Sequence, residues 1–269
     1  MTCRSINFAR IRSAVGTHIL LMETLAPVAG LRGDYSFMAP DWTVPQPTDY
    51  SAEDQAVWRL LVERQTVLAK QFACAEFLQG LETLSIGDRI PDFDAVNARL
   101  EPLTGWKVVG VPGLIPDEVF YDHLAHRRFP VTVWIRTRSE LDYLVEPDLF
   151  HDFFGHVPLL SNPVFADYMQ RYGQRAMEAG AHIDLLARLY WYTVEFGLIR
   201  TSDGLKIYGA GILSSAKEVR HAIEGDVERL PFEAAKVMRR PYEIDKLQNT
   251  YFVLDDFRQL FEAADIRVA

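Results

Sequence analysis

The sequence predicts an α+β fold, predominantly α-helical, in a single domain with a few short β-strands. Three observations predict it. The apolar periodicity from Asp148 to Gly197 is almost wholly helical. Only two short stretches, 106–109 and 131–135, change to the β-branched and aromatic pattern of strands. After residue 50 no repeat, low-complexity tract or linker divides the chain. The composition, 49% apolar and 24% charged over 269 residues, is ordinary for a globular protein. A chain of that size buries enough surface to fold without disulfides or a partner.

Residues 1–45 read as an N-terminal extension, expected to be poorly ordered, with 46–269 as the folded domain. Gly30, Gly33, Pro40, Pro45 and Pro47 punctuate that start, which holds no sustained period, and Met22 offers an alternative first residue. Ser51-Ala-Glu-Asp54 resembles a capping box, and Val57, Leu61, Leu68 and Phe72 form the stripe of a helix running to the late seventies. Residues 88–103 suggest a turn and a short helix ending at Thr104-Gly105. Trp106-Lys-Val-Val109 suggests a strand stopped by Pro112-Gly113, and Asp117–His126 another helix. Val131-Thr-Val-Trp-Ile135 is the second strand candidate. Ser214 is placed to cap a helix starting at Ala216. Residues 255–264 form one short amphipathic helix without sustained heptads, so a monomer is expected.

Charge narrows the function. Lys plus Arg number 28 and Asp plus Glu 37, a net charge of −9 with both signs interspersed. Such a chain is not drawn to nucleic acid or to an anionic membrane, and no apolar run reaches the roughly 18–20 residues of a span. Arg4, Arg10 and Arg12 before Val15–Leu21 mimic a signal peptide, but His18 and Glu23 interrupt it, so a cytoplasmic enzyme is expected. Cys3 and Cys74 are too few for a disulfide framework and lack metal-site spacing.

The strongest local feature is His151-Asp-Phe-Phe-Gly-His156-Val-Pro158. Histidines five apart stand about 140° apart on a regular α-helix. They reach one ion only if the second lies where the helix ends, and Gly155 and Pro158 suggest such an ending. The plain alternative is two histidines with separate hydrogen bonds. Glu195 shifts the balance: the run His182–Ile199 is apolar or aromatic nearly all round, so a buried helix is expected. A carboxylate there is costly unless paired or bound to metal. Arg188 and Arg200 are the candidate partners, at poor spacings along the helix. Two imidazoles and a carboxylate suit Fe(II) with three open positions, or equally a catalytic zinc hydrolase. The absence of H-E-x-x-H tilts this only weakly toward iron.

Three blocks then carry a resemblance: Glu146-Pro-Asp-Leu-Phe-His-Asp-Phe-Phe-Gly-His-Val-Pro-Leu159, Tyr190-Trp-Tyr-Thr-Val-Glu-Phe-Gly197 and Tyr208-Gly-Ala-Gly-Ile-Leu-Ser-Ser215. In order and spacing they resemble the pterin-dependent aromatic amino acid hydroxylases, particularly the short bacterial phenylalanine 4-hydroxylases, with looser similarity over roughly 50–260. The resemblance implies the hydroxylase fold, with 46–269 as a catalytic iron and pterin domain. It implies Fe(II) held by His151, His156 and Glu195, and a monooxygenase forming L-tyrosine from L-phenylalanine with dioxygen and a tetrahydropterin. It implies Arg136 as the fork for the substrate carboxylate, with Asp148 placed to hold it in turn. Pro147, Trp191 and Phe196 match walls around the substrate ring, Gly211 a close backbone approach, and Ser214 the support of His151. For the pterin it implies the backbone of Gly113, Leu114 and Ile115, stacking by Phe120, and Asp152, Ala187 and Tyr190 nearby.

Substrate choice within the resemblance rests on Trp191 and on Ile244, an apolar residue where tyrosine hydroxylases tend to carry aspartate; phenylalanine is preferred, with tryptophan or tyrosine as alternatives. Leu144 and Val145 depart from the Thr-Pro pair of many animal relatives. Those relatives also carry a regulatory domain, for which residues 1–45 are too short, and a tetramerising coiled coil. Against the hydroxylase stand the zinc hydrolase, with Asp152 or the metal-bound water as base, and a non-catalytic amino-acid or pterin binder.

Overall fold

A computed structural model describes residues 31–244 and 246–264. Met22, Cys3 and His18 lie outside them. The capping box forms as the sequence suggests: Ser51 and Asp54 exchange side-chain and backbone bonds at the start of α1 (Ala52–Phe72). The helix does not continue into the late seventies. At Ala73 the backbone turns extended, and the Cys74 N–H donates to the Ile207 carbonyl at 2.9 Å. A second helix, α2 (Ala75–Thr83), starts there. Cys74 is thus a fully buried residue at the break, and burial pushes its thiol well above the ordinary range.

Helix α3 (Phe93–Thr104) starts on the Asp92 side chain and ends at Gly105 with φ 73°, a left-handed conformation that glycine adopts freely. Strand β1 (Lys107–Val111), helix α4 (Asp117–Ala125) and strand β2 (Arg128–Thr132) form a parallel βαβ unit pairing Lys107 with Arg128 through Val111 with Thr132. The second strand therefore lies three residues earlier than its β-branched run. Proline lacks the N–H for a ladder, but a two-stranded sheet has only edges, so Pro130 fits. After Val133, whose N–H still donates to the Val111 carbonyl, the chain leaves β1 and lies against the segment that carries the histidines: the Thr132 N–H donates to Asp152 and the Leu149 N–H to the Trp134 carbonyl.

From 148 onward the helices are less regular than the sequence suggests. His151–His156 is a π-helical turn and Val157–Ser161 a 3₁₀ turn, before α5 (Pro163–Glu178) and α6 (Ile183–Tyr190). Trp191–Glu195 is a second π turn, closed by the Phe196 N–H on the Trp191 carbonyl at 2.9 Å. The expected helix to Ile199 thus ends at Glu195. A Cβ at Gly197 would meet the Tyr208 hydroxyl at 2.2 Å, and β3 (Leu198–Thr201) begins directly after it. Strands β3, β4 (Gly204–Ile207), β5 (Glu228–Pro231) and β6 (Thr250–Leu254) form a mixed sheet in the order β4-β3-β6-β5. Of the short helices, α7 (Ala210–Leu213) lies against both π turns and α8 (Ala216–Glu224), α8 also meets α1, α9 (Ala234–Val237) lies against α6, and α10 (Arg258–Ala264) packs on α5.

The core is built around the first π turn. Phe153 and Phe154, between the two histidines, are fully buried. Phe153 lies against Phe93 of α3 and Trp58 of α1, and Phe154 against Phe77 of α2 and Phe150, with ring centroids 4.9–6.3 Å apart. Residues 31–45, read from the sequence as the end of an extension, run back over the βαβ unit. The Val44 N–H donates to the Gly110 carbonyl, the Tyr35 hydroxyl to the Leu114 carbonyl, and the Arg32 guanidinium lies 4.3 Å over the Trp134 ring.

Truncating the ring at the centre of this packing is expected to be among the most damaging core changes. Phe153→Ala should lower unfolding free energy by about 3–5 kcal/mol, measured by urea denaturation.

Candidate metal centre

The π turn resolves the spacing problem. Its bonds run from residue i to i+5, so His151 and His156, first and last of the turn, come to one face without a helix end between them. Their Nε2 atoms are 3.4 Å apart. Glu195 closes the other π turn and puts Oε1 at 3.2 Å from His156 Nε2 and Oε2 at 3.6 Å from His151 Nε2. All three donor atoms lie within 4.8 Å of one another.

Neither arginine proposed as a partner reaches Glu195. Arg200 faces Asp255, and Arg188 donates to the Met238 carbonyl. Burial works to raise the Glu195 carboxyl, but His156 and His151 beside it hold it below its ordinary value. Burial pushes His151 down against the pull of Glu195, which favours the neutral imidazole a metal requires. His151 Nδ1 meets Ser214 Oγ at 2.9 Å. With that nitrogen protonated, the Nε2 lone pair faces His156 and the carboxylate. Two imidazole nitrogens and a carboxylate converge here with no Lys or Arg among them. They fit a divalent cation well. Ser214 does not cap α8; Ser215 does, accepting from the Glu218 N–H at 3.3 Å.

Arg136 is held by Asp148, as the resemblance implied. Its Nε and Nη2 donate to the two oxygens of Asp148 at 2.9 and 2.7 Å, and both side chains are buried. Nη1 takes no part in this pair. Asp148 also accepts from the Arg136 N–H and the His151 N–H, at 2.9 and 3.0 Å. Burial opposes ionisation of Asp148, but Arg136 wins and holds the carboxyl below its usual value. Pro147, half-buried, precedes it directly.

On the other side of the centre, Trp191 lies 4.6 Å from Phe196 and stacks on Tyr242 at 4.5 Å. A Cβ at Gly211 would meet Phe196 at 2.9 Å and the Glu195 carboxylate at 3.1 Å, so the bare backbone passes directly beside the centre. Toward β2, Phe129 and Tyr190 flank His156 at 5.0 and 6.3 Å, and Phe120 of α4 meets Tyr190 edge-on at 5.9 Å. The Asp152 carboxylate accepts the Thr132 N–H at 2.8 Å, and burial raises it above its ordinary range. Gly113, Leu114 and Ile115 form the loop between β1 and α4; Leu114 and Ile115 are half-buried, as is Ala187 on α6. Direct contacts thus join His151, His156, Glu195, Ser214, Gly211 and Phe196, and join Arg136 through Asp148. The 113–115 loop and Ala187 are linked to them only through neighbouring elements. Tyr242, Gln248, Tyr35 and Arg32 were not anticipated, since no motif marks them; the Pro-Tyr of 241–242 was the only local signal.

These elements define a candidate mononuclear centre of the 2-His-1-carboxylate type, with aromatic rings packed around it. Residues 38–265 match the family described as biopterin-dependent aromatic amino acid hydroxylase, and the chain belongs to that family. It is 55% identical over 243 residues to the phenylalanine-4-hydroxylase of Mesorhizobium japonicum, covering 88% of each chain. It superposes on phenylalanine hydroxylase from Chromobacterium violaceum with iron and phenylalanine bound, with a TM-score of 0.81 and 53% identity over 88% of this chain and 87% of that one. A structure of the same enzyme with iron(III) and oxidised 7,8-dihydrobiopterin matches with a TM-score of 0.81 and 56% identity over 87% and 86%. The fold is that of the aromatic amino acid hydroxylase catalytic domain.

Two measurements follow from this geometry. Ser214→Ala should weaken metal binding about 10- to 100-fold by freeing the His151 ring, read by competition with a chelator. For the metal-free protein, the depressed Asp148 carboxyl contributes stability that is complete above its unfolded pKa and is lost as pH falls through its lower folded value. The stability gap between the wild type and Asp148→Asn, from urea midpoints, should be constant above about pH 5 and shrink on acidification.

Proposed function

We propose that this chain is a pterin-dependent phenylalanine 4-monooxygenase, converting L-phenylalanine to L-tyrosine. The observation that carries the reading is the convergence of His151, His156 and Glu195 within 4.8 Å, with the Arg136–Asp148 fork hydrogen bonded to the backbone of the first ligand. The three residues hold Fe(II) by one face. When bound, the iron and a tetrahydropterin supply the activation of dioxygen, one oxygen atom entering the substrate ring and the other leaving with the pterin.

The chain's own residues bind and orient. Arg136 takes the substrate carboxylate with the guanidinium edge that Asp148 leaves free. Pro147, Trp191 and Phe196 enclose the ring, and Gly211 lets the backbone lie against it. Ser214 fixes the plane of His151. Phe120 stacks on the pterin, the backbone of Gly113, Leu114 and Ile115 meets its polar edge, and Asp152, Ala187 and Tyr190 line the remaining side. The Asp152 oxygen not used by Thr132 accepts from the pterin. Ile244 is apolar and offers a phenol no partner, which favours phenylalanine over tyrosine.

The same reading makes the protein a cytoplasmic monomer acting on small molecules. It is supported by α10, whose Leu260, Ala263 and Ala264 are buried with α5 beside them, and by the buried free thiol of Cys74. No helix among the described residues is long and apolar enough to cross a membrane.

Purified protein with Fe(II), a tetrahydropterin, air and phenylalanine should yield tyrosine by chromatography, and none without iron or pterin. Hydroxylation of tryptophan alone would overturn the substrate, and no product with metal bound would overturn the reaction. Arg136→Lys, which cannot form the two-pronged pair, should lower kcat/KM for phenylalanine about 30-fold or more, mainly through KM.

A further inference from the structure

The wall at Trp191 has a built support that the proposed reaction does not use. The indole Nε1–H donates to Gln248 Oε1 at 3.0 Å. Gln248 is only 5% exposed, and every polar group it carries is engaged. Its amide nitrogen donates to the carbonyls of Glu243 and Lys246, both at 2.9 Å, folding its own loop around it. Its backbone N–H donates to Glu218 Oε1 at 3.2 Å, and its carbonyl meets His221 Nε2 at 3.0 Å. Glu218, also 5% exposed, accepts the Tyr251 hydroxyl on the same oxygen at 2.6 Å. Helix α8 and strand β6 therefore anchor one glutamine that ends on the ring wall.

A tryptophan side chain has two rotatable bonds and one polar handle. Its faces are already held, since Tyr242 stacks on the indole within 18° of parallel and Phe196 packs at 37°. The Nε1–H bond removes the freedom that stacking leaves, sliding and tilting of the indole along the Tyr242 face. A buried amide with all its groups satisfied is rigid, so the constraint reaches the indole undiminished.

We propose that Gln248 is a positioning residue for the hydroxylation, setting the plane of Trp191 and so the fit of the substrate ring beside the metal centre. The inference rests on Trp191 walling the ring site. Gln248 touches neither substrate nor metal, so its effect falls on phenylalanine and not on iron or pterin. A loosened wall also lets the ring drift from the reacting position. Part of the tetrahydropterin then passes its two electrons and two protons to dioxygen, giving hydrogen peroxide and dihydropterin in place of tyrosine.

The test uses the iron-loaded enzyme and a cycle of Gln248→Met, Trp191→Phe and the double variant. Gln248→Met keeps the length and removes the acceptor. KM for phenylalanine should rise about 3- to 10-fold, the scale of one hydrogen bond, with kcat within about two-fold. The calorimetric Kd for phenylalanine should rise in parallel. KM for the pterin and affinity for iron should stay unchanged, and tyrosine formed per pterin oxidised should fall. In the Trp191→Phe background, which has no indole N–H, the Gln248→Met change should have almost no further effect.

An unchanged KM in Gln248→Met, or an effect of full size in the Trp191→Phe background, overturns the proposal while the hydroxylase reading stands. If the unsubstituted enzyme forms no tyrosine, both fall. Should Gln248→Met not fold, Glu218→Met replaces it in the cycle. It loosens the backbone of Gln248, and its effect on KM must likewise vanish with the indole N–H.

Discussion

A carboxylate buried from solvent must be saturated by donors, and Asp148 meets that condition in a way that couples the two halves of the site. Both of its oxygens are engaged by the Arg136 guanidinium, one also by the Arg136 N–H and the other by the His151 N–H. A buried ion pair of this kind is weak evidence of stability, because desolvation offsets much of the attraction. Its yield here is position. The same carboxylate fixes the Arg136 guanidinium and the backbone of His151, the first of the candidate metal ligands. A displacement of either is transmitted to the other.

The candidate metal ligands depend on a second constraint, the widened turn. Each π turn departs from the better-packed α-helix, and each is held by its surroundings. Around the first, Trp58, Phe77, Phe93 and Phe150 enclose Phe153 and Phe154. The turn also lies against α7, where a Cβ on Gly155 would meet Ala210 at 3.0 Å. Around the second, Gly209 and Gly211 let α7 approach the Glu195 backbone and side chain. The aromatic core thus holds the histidines from behind, while the face toward Glu195 is left to the ligands.

Positioning continues outward by single hydrogen bonds to otherwise apolar or backbone elements. Ser214 holds the His151 ring, Thr132 one oxygen of Asp152, Gln248 the Trp191 indole, and Tyr35 the Leu114 carbonyl. Each joins elements distant in sequence, which is why a site assembled from α4, β2, α6 and two π turns keeps one arrangement.

Much of this was legible in the sequence where the signal is local. The Ser51–Asp54 cap, the β1–α4–β2 order, the buried Glu195 and the His151/His156 pair all follow from period, turn chemistry and the cost of burying charge. The three motif blocks carried the family. What the sequence could not show was decided by contacts between distant residues. The helix break at Ala73 exists because Ile207 offers a carbonyl, and β2 starts early because β1 sets its register. Ser214 turns to His151 while Ser215 takes the cap. Above all, the spacing of five between the histidines reads on a regular helix as a conflict needing a helix end. Packing of Phe153 and Phe154 into the surrounding aromatic core stabilises the wider turn that removes it. Sequence determined which groups could bind a metal; tertiary structure decided the turn that aims them at one point, since a π turn is stable only through its neighbours.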